Sequence, residues 1–300
     1  MNYKYKRTAE DYILDTLIYA IMIIVFFATV YPFWYAVVIS FNEGVDATRG
    51  GIFLWPRVFT LENYEAVFSM EHIVSGFIIS ISRTIIGTLT GLTFTAMFAY
   101  AMAHKNLMFR KFYMMLMLIS MYFSGGLIPY FILLRSLGLM NNFLVYIIPM
   151  LMTVWNVIIM ISFFREIPPS LEEAARIDGA NDLTIFFKII IPISKPVLAT
   201  IALFIGVGHW NAWFDAAFFV NARNLRTLQF WLVEIIQQAN IQAMQAAGPE
   251  ADRAIMGAAQ TFTAETIRMA TMIIVVIPII MVYPFLQRYF VKGIMIGSIK

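Results

Sequence analysis

The 300-residue sequence has no cysteine. That absence excludes disulfides, thiol nucleophiles and zinc–thiolate sites. Charge is scarce too: Asp, Glu, Lys and Arg make up 13% of the chain, where an average soluble domain carries about 25%. Only three histidines occur, and His209 has no second ligand at helical spacing, so no metal site is expected. The phosphate-cradling pattern G-x-x-x-x-G-K-[ST] is missing, and neither GKS nor GKT occurs anywhere. No nucleotide-hydrolysing site of that kind is therefore expected on this chain. The net charge of +3 is small and the bases are scattered, which argues against a nucleic-acid partner. There is no low-complexity run and no repeat of fixed period.

What remains is apolar: 61% of the residues are hydrophobic. A soluble fold of that composition would have too few polar residues to cover its surface. The expected class is an all-α, polytopic integral membrane protein with one transmembrane domain. Crossing the hydrocarbon core takes roughly 20 apolar residues in a helix. Six stretches qualify, at 16–41, 74–103, 112–134, 143–164, 197–219 and 267–286. The first is too long for a signal-peptide core and no small-residue cleavage site follows, so an uncleaved anchor is expected.

Six spans place both termini on one side, and Lys/Arg bias decides which. The terminal side holds Lys4, Lys6, Arg7, Lys105, Arg110, Lys111, Arg165, Arg176, Lys188, Lys195, Arg288, Lys292 and Lys300. The opposite side holds only Arg49, Arg57, Arg135, Arg223, Arg226, Arg253 and Arg268. Both termini are therefore expected in the cytoplasm, as segments 1–15 and 292–300 flanking a transmembrane domain at 16–291. Two long segments, 42–73 and 220–266, are expected outside. In the second, Leu228, Trp231, Leu232 and Ile235 share a helical face. That face suits either an interfacial helix or a surface for an external partner, and Gly248-Pro249 is expected to break the helix.

Between spans four and five the chain turns polar, with EEAARIDGANDLTIFFKIIIPISKP at 172–196. Pro168-Pro169 ends the fourth span. Ser170 and Glu173 have capping-box spacing, with Leu171, Ala174 and Ala175 expected on one face. Gly179 is expected to close that helix with positive φ. Asp182 begins a second helix, which Pro192 is expected to stop. The expectation is a rigid helix–turn–helix, and a plain capped connector is the alternative.

The joint pattern is Glu173-Ala174-Ala175, three residues, Gly179, nine residues, Ile189, one residue, then Ile191-Pro192. It resembles the EAA loop of permease subunits of bacterial ABC importers, with Ile191 where leucine is usual. YPFWYAVVISF, EIPPSLEEAARIDGA and QRYFVKGIMIGSIK are similar to carbohydrate permeases of the maltose type. FSGGLIPYFILLRSLGLMNNF at 123–143 resembles a narrower group serving alginate, aldouronate or rhamnogalacturonan fragments.

The resemblance implies a type I importer permease whose coupling loop, 165–196, docks on a separate cytoplasmic ATPase. Glu173, Ala174, Ala175, Asp178, Gly179 and Pro192 would form the ATPase-coupling site. Implied partners are a second, similar permease, a dimeric ATPase holding ATP and Mg, an extracytoplasmic solute-binding protein and an oligosaccharide. No cofactor is expected on this chain.

Inside the spans, Gly208, Asn211 and Asp215 fall on one face. Charge at membrane depth is costly, so Asp215 is expected to face the bundle or water. With Trp210 and Trp213 as stacking surfaces, this stripe is a candidate translocation path, or else it holds helices together. Arg83 either pairs with an acid on another helix or lines the path, and would be the group to meet a carboxylate cargo. Gly87 and Gly91 have the G-x-x-x-G spacing of close helix packing. Gly125-Gly126 and Pro129 predict a kink. Two other classes fit less well. A secondary transporter would need broken helices in paired halves. A membrane enzyme would need more than one internal carboxylate and one internal histidine.

Overall fold

The computed structural model describes residues 8–246 and 262–296. Among these the chain is helical, with no strand beyond one isolated bridge between Asn42 and Phe59. Lys4, Lys6, Arg7, Arg253, Lys300 and the Gly248-Pro249 break lie outside the described residues. Two compact units are present: Met1–Ser69 with Ile235–Ile274, and Met70–Glu234 with Val275–Lys300.

The first unit begins with α1, Ala9–Ser40. Its start is fixed by a capping box between Thr8 and Asp11. Asp11 N–H donates to Thr8 Oγ1, and Thr8 N–H donates to Asp11 Oδ2 at 2.8 Å. From Ile13 to Trp34 almost every large apolar side chain of α1 is exposed, as a helix apolar all round requires of its solvent. Beyond Ser40 come two short helices, α2 (Gly44–Thr48) and α3 (Glu62–Ser69). Asn63 Nδ2 donates to the carbonyls of Ser40 and Asn42 at 3.0 and 2.8 Å, closing this segment over the end of α1. Tyr64 lies 2.8 Å from Ser40 Oγ. Burial pushes its phenol above the ordinary tyrosine range, and the Ser40 hydrogen bond only partly opposes this.

The second unit is organised on α4, Glu71–Ala103. One face of α4 is a row of small residues: Gly76, Ser80, Gly87, Gly91, Thr95 and Ala99, all buried. Small side chains let neighbouring backbones approach closely where lipid offers no hydrophobic drive between helices. The helices packed along this row are chiefly α7 (Val154–Glu166) and α11 (Lys195–Asn211), while Gly76 and Ser80 at its start meet Leu228. At Gly87 an added Cβ would collide with the His209 ring. At Gly91 it would meet Ile205 at 3.5 Å. The glycine pair is thus a packing seam.

Three expected spans are interrupted. The third is α5 (Arg110–Tyr122) and α6 (Leu127–Ser136), bent by 119°. The predicted kink is a full break at residues 123–126, with Gly126 at φ +81°. The fifth, 197–219, is α11 followed by α12 (Phe214–Phe219), separated at Ala212–Trp213. The fourth opens with 3-10 turns at Phe143–Tyr146 and Ile148–Met150 before α7, with a bend of 46°. Helix α13, Leu228–Ala246, buries Leu228, Trp231 and Leu232. Helix α14, Ala264–Ile296, contains the expected sixth span and stays helical past residue 292. Among the described residues three helices, α1, α4 and the Ala264–Val282 part of α14, are long and apolar enough to cross a membrane singly, or up to six if each bent pair is one span.

Candidate functional site

The polar stretch folds as a helix pair. Its first member, α8, is Pro169–Ile177. The expected capping box at Ser170 is not formed. Pro168 is the N-cap, no side chain caps the helix, and Pro169 takes the first helical position. Proline is suited to that position because its fixed φ is helical and its missing N–H would be unpaired there anyway. Ser170 is thereby carried inside the first turn. At the other end Gly179 has φ +81°. Its N–H donates to Arg176 O at 3.0 Å, and Ala180 N–H donates to Ala175 O at 2.9 Å. This is a complete Schellman closure, which favours glycine at that position.

Asn181 caps the second member, accepting from Thr184 N–H at 2.8 Å. That member starts as α9, Asp182–Ile185, passes through a π turn at Phe186–Ile190, and ends as α10, Ile191–Ile193. Pro192 does not stop it. The wider π turn accommodates a ring that lacks an N–H, and the chain turns at Ser194 instead, by 86° into α11. Arg176 Nη2 ties the pair together through Asp182 Oδ1 at 2.5 Å.

One side of the pair is fixed to the spans. Ala175, Ile185, Phe186 and Ile190 are buried in a cluster with Tyr100 of α4 and Phe164 of α7. The Phe186 and Tyr100 rings lie 5.3 Å apart. Glu172 faces the same way, 3.7 Å from His104 Nδ1. Ala175 therefore belongs with Glu172, and the exposed face carries Leu171, Ala174 and Ile177, the last 86% exposed. Glu173, Asp178 and Gly179 are also exposed. Glu173 makes no hydrogen bond or ion pair among the described residues, so it does not serve its own helix.

The second cluster lies between α4 and the break in span five. Arg83 is fully buried. Its Nη2 pairs with Asp215 and reaches Met150 Sδ at 3.4 Å, Nη1 donates to Ala212 O at 3.0 Å, and Nε faces His209 Nδ1 at 3.4 Å. The guanidinium also lies 4.5 Å from the Tyr146 ring centre. The backbone carbonyl freed by the break is thus taken by a side chain from another span. This is how irregular backbone is tolerated at membrane depth.

Trp210 is buried and donates to Val275 O at 3.1 Å, while Trp213 is 39% exposed. Asn211 is exposed and accepts from Gln229 Nε2 at 3.4 Å. The break at Ala212–Trp213 interrupts the face expected to hold Gly208, Asn211 and Asp215 together.

Sequence reasoning missed one feature. The break in span three opens a cavity of 570 Å³, lined by residues 124–127, Pro129, Tyr130, Leu133 and Phe214. Its walls come from both breaks. The double glycine was the available signal for one of them. Among the described residues no His/Cys/Asp/Glu group could hold a metal ion.

Broken apolar spans, a small-residue packing row and a rigid helix pair seated on them describe an α-helical protein built to cross a membrane several times. The chain matches the family described as "Binding-protein-dependent transport system inner membrane component" over residues 95–296 and belongs to it. It is 35% identical over 291 residues to the polygalacturonan/rhamnogalacturonan transport system permease protein YtcP of Bacillus subtilis (strain 168), covering 97% of this chain and 99% of that one. It is 36% identical over 277 residues to Protein LplC of the same organism, covering 91% and 90%. A chain in the crystal structure of a bacterial ABC transporter involved in the import of the acidic polysaccharide alginate superposes with a TM-score of 0.85 at 30% identity. That match covers 95% of this chain and 99% of the other. The protein is therefore an inner-membrane permease subunit, a transport component.

Proposed function

We propose that this chain is one of two permeases in an ATP-driven oligosaccharide importer, and that the 169–193 helix pair is its handle for a cytoplasmic ATPase dimer. The observation that carries the reading is Glu173, exposed and unpartnered on a rigid element whose opposite face is locked to α4 and α7. A surface carboxylate held in this way is available to a basic group on another chain. Rigid packing against two spans lets a push on α8 become a rigid-body motion of the spans. Ala174, Ala175, Asp178, Gly179 and Pro192 shape that handle. A second, similar permease and an extracytoplasmic binding protein complete the assembly, and both termini lie on the ATPase side. ATP and Mg belong to the ATPase.

The test is Glu173→Ala in the reconstituted complex. Truncating one partner of a desolvated charge pair costs about 2–5 kcal/mol, so ATP-driven uptake should collapse while the permease still folds. Full uptake by the variant would falsify the assignment of Glu173.

For the cargo we propose a path through the 570 Å³ cavity, where Tyr130 and Phe214 offer flat apolar faces to sugar rings. The similarity to permeases for rhamnogalacturonan and alginate supports a uronate-containing oligosaccharide. One observation favours a neutral one: Arg83 is buried and already engaged by Asp215 and Ala212 O, and no base is among the described residues that line the cavity. Competition of uptake by uronate and neutral oligosaccharides of equal length separates the two.

A further inference from the structure

The segment after α1 doubles back along it. Gly50 and Gly51 both have positive φ, +68° and +72°, and reverse the chain. Ile52 is buried against Ala36, Val38 and Ile39 of α1. Leu54 O then accepts a hydrogen bond from Trp34 Nε1 at 3.0 Å, and the Trp55 ring lies edge-on to Trp34 at 5.6 Å. Trp34 is six residues before the end of α1, so the loop tip lies about 9 Å back along the helix.

The tip is apolar and open. Phe53, Leu54 and Trp55 are 64%, 60% and 72% exposed. The polar half of the same loop is held near the helix end. Asn42 Oδ1 accepts from Arg57 and Val58 N–H, and Arg57 Nε pairs with Asp46 at 3.2 Å. The loop is thus a pinned amphipathic unit with its charge at one level and its aromatic tip at another.

Depth identifies what covers the tip. The last charge in the first turns of α1 is Asp15. From Thr16 to Trp34 is about 28 Å of helix, nearly the roughly 30 Å of a hydrocarbon core. Trp34, Trp55 and the adjacent Tyr31 and Tyr35 therefore gather at one membrane boundary, the level at which amphipathic aromatic rings are favoured. The exposed tip is continuous with the exposed apolar side of α1 up to Trp34.

We propose that Phe53, Leu54 and Trp55 form an interfacial anchor, buried at the boundary of lipid headgroups and acyl chains beside α1. The anchor fixes how deep this end of the span sits. Lipid is the partner, and the proposal is independent of the cargo.

The cysteine-free chain makes the test direct. Phe53→Cys and Trp55→Cys, each carrying a nitroxide, are placed in the assembled complex in phosphatidylcholine–phosphatidylglycerol vesicles. Thr48→Cys serves as the aqueous reference and Ile24→Cys as the mid-span reference. Relaxation by oxygen and by a water-soluble nickel chelate is compared. Labels at 53 and 55 should show an oxygen-to-nickel ratio severalfold above position 48 and below position 24. A ratio equal to that at position 48 would place the tip in water and overturn the proposal. Shielding from both reagents would also overturn it, because a protein surface would then be the cover. Having two labelled positions protects the test against one variant that misfolds.

Discussion

Arg83 donates in four directions, to Asp215, Ala212 O, His209 Nδ1 and Met150 Sδ. Such a group is stable only as a set. Asp215→Leu would leave a buried guanidinium without its counter-charge, which costs about 3–5 kcal/mol where a buried pair is broken from one side. Replacing both members by apolar residues of similar size removes the stranded charge. The double variant Arg83→Met, Asp215→Leu should therefore be less destabilised than the sum of the singles. Residues in one network couple in this way. Thermal unfolding of the detergent-solubilised complex, read for the three variants, gives the cycle. Additive losses would mean that the two side chains do not act together.

Two elements depend on glycine for different reasons. Gly179 has φ +81°, and nothing among the described residues lies within 4 Å of where a Cβ would stand, so backbone strain decides there and bulk does not. Left-handed geometry costs a side-chain residue about 1–2 kcal/mol, and asparagine bears it best. In uptake assays, Gly179→Asn should retain more coupling than Gly179→Ala, and Gly179→Val least. If alanine is better than asparagine, space in the partner's cleft is the constraint. Gly87 is the opposite case. Its φ is helical, but a Cβ would strike the His209 ring, so Gly87→Ala should lower the unfolding temperature through overpacking of about 1–3 kcal/mol.

The helix pair was legible in the sequence because Pro168-Pro169, Gly179 and Asp182 punctuate it locally, while the Asn181 cap came only with the structure. The capping box expected at Ser170 fails because Ser170 and Pro169 compete for the start of α8, and proline at the first position sets the register. The break after Asn211 had no local mark: Ala212 and Trp213 are neither glycine nor proline. It exists because Arg83, on another span, takes the freed carbonyl. An ion pair between positions 83 and 215 has no periodicity to reveal it. That Arg83 needs an acid follows from its place in an apolar span, and only the fold shows which acid.

At the scale of the molecule, α4 links the two clusters. Arg83 and Tyr100 lie on it seventeen residues apart, about 26 Å along the axis. One position braces the broken span and the other seats the helix pair. A displacement of the pair would thus reach the region of the cavity through a single helix and its packed neighbours, provided the pair lies where an ATPase can grip it. Six spans would group the pair with the termini, and the bias of thirteen bases against seven in the sequence then predicts that this side is cytoplasmic. The cysteine-free background tests this cleanly. A membrane-impermeant maleimide should label Asp178→Cys only from the cytoplasmic side and Thr48→Cys only from the other. Binding of the ATPase should slow labelling at 178 and leave 48 unchanged, since only the first lies on the proposed handle. Labelling of both positions from the same side would invert the topology and remove the handle from its motor. Opposite sides with no protection at 178 would keep the topology and move the docking surface away from the Asp178 turn.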